Sequence, residues 1–214
     1  MEANAYKVSL EKNPKIAITI VPGHFSTSNA HSNHYLDYCE LKCNALVARD
    51  VARELAIPYL SSTVIDTIVC IEKTSVIGAY LAEELLQDGT SSINSDGLIH
   101  VVSPITSAYG NWVFPSKRVE WIKDRNILLL VATISSGRTL NSMLECISYY
   151  GGKLAGISTL YLASPDMYQH TVNALFTSED ISGYRLFTPG DCEMCKNGQK
   201  IDALISSEGY TKVE

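Results

Sequence analysis

Residues 127–140, ILLLVATISSGRTL, constrain the fold more than any other stretch of the chain. Five consecutive apolar residues, 127–131, read as a strand buried on both faces. They lead into a polar turn, Ser135-Ser136-Gly137, and the turn feeds a helix that opens at Thr139. A strand with two buried faces needs helices on each side, which points to a mostly parallel α/β sheet. The turn also gathers backbone N–H groups at a helix N-terminus, and such a cradle suits a phosphate. Ser135, Ser136 and Thr139 add hydroxyl donors, Arg138 adds charge, and Gly137 permits a positive φ or close backbone approach. An ordinary strand-to-helix turn with Thr139 as N-cap uses the same residues. The apolar strand before the motif and the Leu-rich helix after it are the context a phosphate site requires.

The rest of the chain fits the same class. Apolar runs at 15–21, 64–71, 98–102, 154–162 and 172–176 read as strands. Helical spacing runs over 36–56 and 75–87, and again from Leu140 until Gly151-Gly152 stops it. Pro22-Gly23 is expected to end the first strand, and 26–34 to form a polar loop. Residues 112–114 suggest a hairpin arm. The alternation fails at both chain ends, so 1–40 and 180–214 are expected to form a small hood over the strand ends of a single domain spanning 1–214. The chain has 214 residues, 46% hydrophobic and 19% charged, enough for one full core. A net charge of −6 with no Lys/Arg-rich run argues against nucleic acid or an anionic membrane as partner. No apolar run reaches the ~18–20 residues of a membrane span, and the polar N-terminus lacks a signal-peptide core. These features suggest a cytoplasmic protein whose six cysteines are reduced or metal-bound.

Three further motifs carry chemistry. CIEKTSVIGAYL (70–81) is a strand-turn-helix in which Glu72, Lys73, Thr74 and Ser75 face a helix N-terminus, favourable for an anion. Thr74 or Ser75 equally suits a plain cap with Lys73 solvated. In SNAHSNHYLD (28–37), Asn and Ser mark a loop, Asp37 suits an N-cap, and His31 and His34 read as exposed loop histidines. CEMCKNG places Cys192 and Cys195 on a knuckle that can present two thiolates to one metal. Cys39 and Cys43 lie one helical turn apart on a predicted helix, and the four sulfurs together would suit tetrahedral Zn²⁺. Cys39 and Cys43 as small packing residues are the alternative.

Taken together, 15–200 resembles the orotate phosphoribosyltransferase branch of the type I phosphoribosyltransferases. Residues 127–140 match the family's loop for 5-phosphoribosyl 1-diphosphate (PRPP) without a gap, and 70–81 resembles its pyrophosphate loop. Ser28, Ser32, Tyr35 and Asp37 match its S-G-R-x-S-x-Y-Y-x-D segment, with Asn29 and Ala30 where Gly and Arg usually stand. The resemblance implies a five-stranded parallel core, a hood, a homodimer, and PRPP with Mg²⁺ or a nucleotide as ligand. It implies base contacts from Ser32, His34 and Tyr35. The chain departs from the pattern twice. Val131 and Ala132 stand where the family has two acidic residues that hold the ribose, and 103–119 carries only Lys117 and Arg118 where the family's mobile loop is rich in Lys, Arg and His. Loss of a positioned charged pair costs on the order of 10²-fold in rate. The expectation is therefore a phosphoribosyltransferase fold that binds a ribose-5-phosphate-type ligand with weak or no classical catalysis, its catalytic residues unassigned. The alternative is an active enzyme whose carboxylate comes from Glu72 or Asp124.

Overall fold

Strand pairing follows the apolar runs. The computed structural model describes residues 2–87, 92–95, 97–163, 170–206 and 209–213. In chain order the elements are β1 (Tyr6–Leu10), β2 (Asn13–Ser26), β3 (His31–Asp37), α1 (Cys39–Cys43), α2 (Ala45–Ala56), β4 (Thr67–Cys70) and α3 (Ser75–Leu86). Then come β5 (His100–Val102), β6 (Ile105–Thr106), β7 (Trp112–Val113), β8 (Asn126–Ile134), α4 (Arg138–Tyr149), β9 (Lys153–Leu162) and β10 (Val172–Thr177). The last are β11 (Leu186–Phe187), α5 (Glu193–Lys196), β12 (Ala203–Ser206) and β13 (Gly209–Lys212).

A five-stranded sheet runs β10-β9-β8-β4-β5, with every pair parallel. Its central strand is β8, where residues 127–131 are all fully buried. Side chains alternate between faces. Ile127, Leu129 and Val131 pack with Leu140, Met143 and Ile147 of α4, whereas Leu128, Leu130 and Ala132 pack with Val51 and Leu55 of α2 and Ile77 and Leu81 of α3. This two-faced burial is why the strand reads as an unbroken apolar run.

The two ends of the chain build a second sheet, ordered β11-β3-β2-β12-β13 with β1 added on β2. Its Ile16, Ile18, Ile20 and Leu36 join the same apolar cluster as α2 and α3. Of the residues assigned to the hood from sequence, 1, 207, 208 and 214 lie outside the described ones.

Four local expectations are corrected. Pro22-Gly23 does not end the first strand. The register of β2 against β3 shifts between Pro22 and Phe25, and the strand continues to Ser26. A bulge tolerates a residue that lacks an N–H, so no ladder bond is lost there. Most of the predicted 26–34 loop is strand, leaving only 27–30 as a turn. The single helix expected over 36–56 is broken. Leu36 pairs with Ile20 in the sheet, and Asn44 separates α1 from α2, its side chain accepting the Leu46 N–H at 3.1 Å. Asp37 is not the N-cap: it ends β3, Tyr38 occupies the cap position, and the Asp37 carboxylate accepts the Cys39 N–H at 2.8 Å from one residue further back.

The glycine pair at 151–152 stops α4 for two different reasons. Gly151 has φ +80°, and a Cβ on Gly152 would lie 2.8 Å from Ile147 Cγ2 and 3.1 Å from Ile127 Cγ1. Gly152→Ala should therefore overpack the α4–β8 layer and cost ~1–3 kcal/mol. A lower urea midpoint with unchanged slope is the expected reading. An unchanged midpoint would mean that Ile147 gives way freely.

Candidate functional site

Strand β8 delivers the chain to a turn at its carboxyl end, where ligands bind in parallel sheets. Gly137 adopts φ +74° as the residue before α4, so the helix opens at Arg138, one residue earlier than the sequence suggests. The first N–H groups of an α-helix have no intrahelical acceptor, and in α4 they point toward this turn. A cavity of about 490 Å³ opens there. Ser135, Ser136, Gly137 and Thr139 line it from the turn, and Ser32, His34 and Tyr35 line it from β3. Arg138 is directed elsewhere, its guanidinium donating to Asn29 Oδ1 at 3.0 Å. Asn29 sits in the 27–30 turn, which is closed by Thr27 N to Ala30 O at 2.8 Å and by Thr27 Oγ1 accepting the Ala30 N–H at 2.9 Å. The β2–β3 turn is thus fastened to the start of α4.

Glu72 enters the same cavity from the neighbouring strand end. Glu72 and Lys73 both take left-handed backbone, φ +55° and +64°. Each such non-glycine residue costs about 1–2 kcal/mol. The turn directs the Glu72 carboxylate across to β8, where Oε2 accepts the Thr133 N–H at 2.9 Å. It lies beside the backbone of Ala132, which is buried and apolar, whereas Val131 is buried on the α4 side of the strand. Burial pushes the Glu72 carboxyl above its ordinary range, against the pull of the Thr133 N–H and the Lys42 ammonium. Asp124, the other carboxylate considered, precedes β8 at the opposite end of the strand, and its N–H donates to Gly151 O at 2.9 Å. Thr74 is not available to an anion. It is fully buried, and its hydroxyl donates to Ile71 O at 2.9 Å. Ser75 Oγ instead meets Ser103 Oγ at 3.1 Å, and neither Ser75 nor Lys73 lines the cavity.

On β3, the Ser32 hydroxyl donates to His34 O at 2.8 Å, and His34 Nδ1 shares a hydrogen bond with Asn33 Oδ1 at 2.9 Å. His34 is half-buried rather than exposed, and burial lowers its pKa. The Tyr35 ring packs against Phe25 and Tyr210, and burial beside Asp37 pushes its phenol up to about 12. Tyr35 therefore presents a neutral hydroxyl at pH 7. Sequence reading missed Thr27, Lys42 and Tyr184 in the lining. They come from a turn, a short helix and a loop, without a local pattern.

The segment expected as a hairpin arm is one: β6 and β7 pair antiparallel around a turn at 107–111. Its flanking Arg118 donates to Ser103 O at 2.7 Å, so that cation is anchored to the sheet edge.

The cysteines regroup. Cys192 and Cys195 meet His24 and His31, with all four ligand atoms within 4.8 Å of one another. Cys39 and Cys43 do not belong to this group. They neighbour each other on α1, where each is exposed. The reason is topological, because β12 pairs with β2 and carries the knuckle to the His24 end of that strand. His31 is buried, not an exposed loop residue. One signal was available in sequence: a C-x-x-C knuckle needs two more soft donors, and histidine qualifies as well as cysteine.

No protein-family model matches the sequence, and no curated protein does. Solved structures match by shape. UMP synthase of Leishmania donovani aligns with TM-score 0.54 and 17% identity over 75% of this chain, which spans only 34% of that longer chain. Orotate phosphoribosyltransferase of Mycobacterium tuberculosis H37Rv aligns at 0.52 with 11% identity, covering 77% of this chain and 93% of the other. The same enzyme in complex with PRPP aligns at 0.50 with 10% identity, over 69% and 83% of the two chains. The fold is that of the type I phosphoribosyltransferases.

A carboxyl whose folded pKa is raised stabilises the fold while protonated. That contribution is complete below its unfolded pKa and is lost as pH rises through the folded one. Stability of wild type relative to Glu72→Gln should therefore decline as pH rises above the ordinary glutamate range. Paired urea titrations across acidic to neutral pH would measure it. A difference that grows with pH would show that the Thr133 N–H and Lys42 dominate over burial.

Proposed function

We propose that this chain binds a ribose-5-phosphate-type ligand, PRPP or a nucleotide, and is a weak or non-classical phosphoribosyltransferase. One observation carries the reading. The cavity at the carboxyl end of β8 joins the Ser135–Thr139 turn to a neighbouring strand end, while Ala132 in its wall and the buried Val131 before it offer no carboxylate. The phosphate would sit on the N–H groups of 137–139, with the hydroxyls of Ser135, Ser136 and Thr139 around it. The sugar and base would extend toward Tyr35, His34 and Ser32. The likeness to a PRPP-bound orotate phosphoribosyltransferase supports a ligand of this class.

Mg²⁺ would come with PRPP and not from the protein. Among the described lining residues Glu72 is the one carboxylate, and it already accepts a backbone N–H. A divalent ion needs about six oxygen ligands, so most would come from the ligand's phosphates and from water. Efficient transfer requires dense positive charge on the leaving pyrophosphate. The 103–119 segment supplies little, because Arg118 is held by Ser103 O.

An active pyrimidine phosphoribosyltransferase is the second reading, and Glu72 favours it. Its carboxylate reaches the end of β8 next to the positions where the family's acidic pair would be. A cytoplasmic homodimer belongs to the proposal through the family likeness. No helix among the described residues is long and apolar enough to cross a membrane.

Calorimetric titration with ribose 5-phosphate should show at least about tenfold weaker binding for Gly137→Asp, since the substitution adds a Cβ at φ +74° and a negative charge in the cradle. Equal affinity would overturn the phosphate site. Pyrophosphate release from PRPP across a panel of pyrimidine bases should stay well below about 1 s⁻¹. Faster turnover that Glu72→Gln abolishes would establish the second reading.

A further inference from the structure

We propose that His24, His31, Cys192 and Cys195 form a structural Zn²⁺ site that fixes the base of the turn covering the phosphate cradle. With zinc–nitrogen bonds of about 2.0–2.1 Å and zinc–sulfur bonds of about 2.3 Å, a tetrahedral site sets two nitrogens about 3.3 Å apart, and a nitrogen and a sulfur about 3.5 Å apart. His24 Nε2 and His31 Nδ1 are 3.2 Å apart. Cys192 Sγ is 3.4 Å from His24 Nε2, and Cys195 Sγ is 3.6 Å from His24 Nε2 and 3.4 Å from His31 Nδ1. These are four of the six edges of a tetrahedron of the right size for zinc, and the remaining two are within 4.8 Å.

The surroundings fit as well. His24 Nδ1 lies 3.0 Å from Gln199 O and 3.1 Å from Lys200 O. Its proton is committed to those carbonyls, which leaves the Nε2 lone pair for the metal. The His24 N–H donates to Asp202 Oδ2 at 2.7 Å, and the Asp202 N–H returns to His24 O at 2.7 Å, so the strand that carries the ligand is itself held. The knuckle is shaped by Lys196 N to Cys192 O, by Gly198 N to Cys195 O, each at 3.0 Å, and by Gly198 at φ +74°. Cys192 and His24 are fully buried, and His31 nearly so. Two thiolates neutralise the dication, so a site of this composition buries no net charge. Four protein ligands leave no open position, which makes the role structural.

The site matters because of where it lies. His24 is on β2 and His31 on β3, on either side of the 27–30 turn, and Asn29 of that turn accepts from Arg138 at the start of α4. The C-terminal segment that closes the site has one small apolar cluster. Among the described residues, Ala203 is buried with Val21 and Phe25, and Tyr35, Ile205 and Tyr210 pack against them partly exposed. Short segments of this kind depend on a metal for their order. Metal binding therefore sets the position of Asn29 over the phosphate cradle. This second step rests on the proposed ligand function, whereas the metal site does not.

The full chain, purified without chelator, should contain one zinc per chain by elemental analysis. Co²⁺ added to the stripped chain should give the intense visible bands of a tetrahedral site with two sulfurs. Cys195→Ser, at an exposed position, should lower zinc affinity at least about tenfold, and a Cys39→Ser, Cys43→Ser double variant should keep it. Substoichiometric zinc without cobalt bands in the wild type overturns the site. So does zinc retained by Cys195→Ser and lost by the double variant. Inorganic phosphate should bind more weakly after zinc is stripped and recover when zinc is restored. Equal phosphate affinity in the two forms overturns the coupling to the turn. Phosphate that fails to bind even the zinc-loaded chain overturns the ligand reading, while the cobalt spectrum still decides the metal site.

Discussion

Strand β8 places residues 127–131 wholly in the interior, and its backbone can follow only because β4 and β9 pair with it on either side. Each of those side chains contributes about 1.5–3 kcal/mol by leaving water. An unpaired buried peptide group would cancel much of that gain. Parallel pairing on both edges, with helices over both faces, is the arrangement that satisfies both demands. The other features of the sheet follow from it, including the crossover helices and the clustering of loops at one end.

The same constraint explains the chemistry at the end of β8. Val131 and Ala132 continue the apolar run toward the cavity, with Val131 buried against the α4 layer and Ala132 in the cavity wall, so the core extends where a carboxylate could otherwise stand. The carboxylate that does reach this place comes from Glu72, at the end of the adjacent strand, through two successive left-handed residues. Its bond to the Thr133 N–H offsets part of the strain of that turn. Glu72 is thus held between a low-dielectric wall that disfavours its charge and an N–H donor and an ammonium that favour it.

The terminal sheet depends on the central one without being an extension of it. Ile16, Ile18 and Ile20 pack into the cluster built by α2 and α3, which positions β2 and so aims the β2–β3 turn at α4. The Asn29–Arg138 hydrogen bond then ties the turn to the helix start. Beyond β2, toward the C-terminus, apolar burial becomes sparse, and polar links take over. The His24–Asp202 pair of hydrogen bonds and the grouping of two histidines with two cysteines lie in this region.

The sequence by itself determined the parallel core. Strands at 127–131, 154–162 and 172–176, the α4 stop at Gly151-Gly152 and the polar turn at 135–137 are all local signals, written in periodicity and glycine placement. It also supplied the candidate cradle residues, because a phosphate turn is contiguous in the chain. Tertiary structure decided what no window contains. The helix period over 36–56 lost to pairing of Leu36 with Ile20, since a ladder bond and a shared core outweigh weak local propensity. Glu72 came to β8 across 61 residues, and Cys192 came to His24 across 168. Sheet register brings such groups together. It is set by the whole core, so spacing along the chain paired Cys192 and Cys195 with the wrong partners.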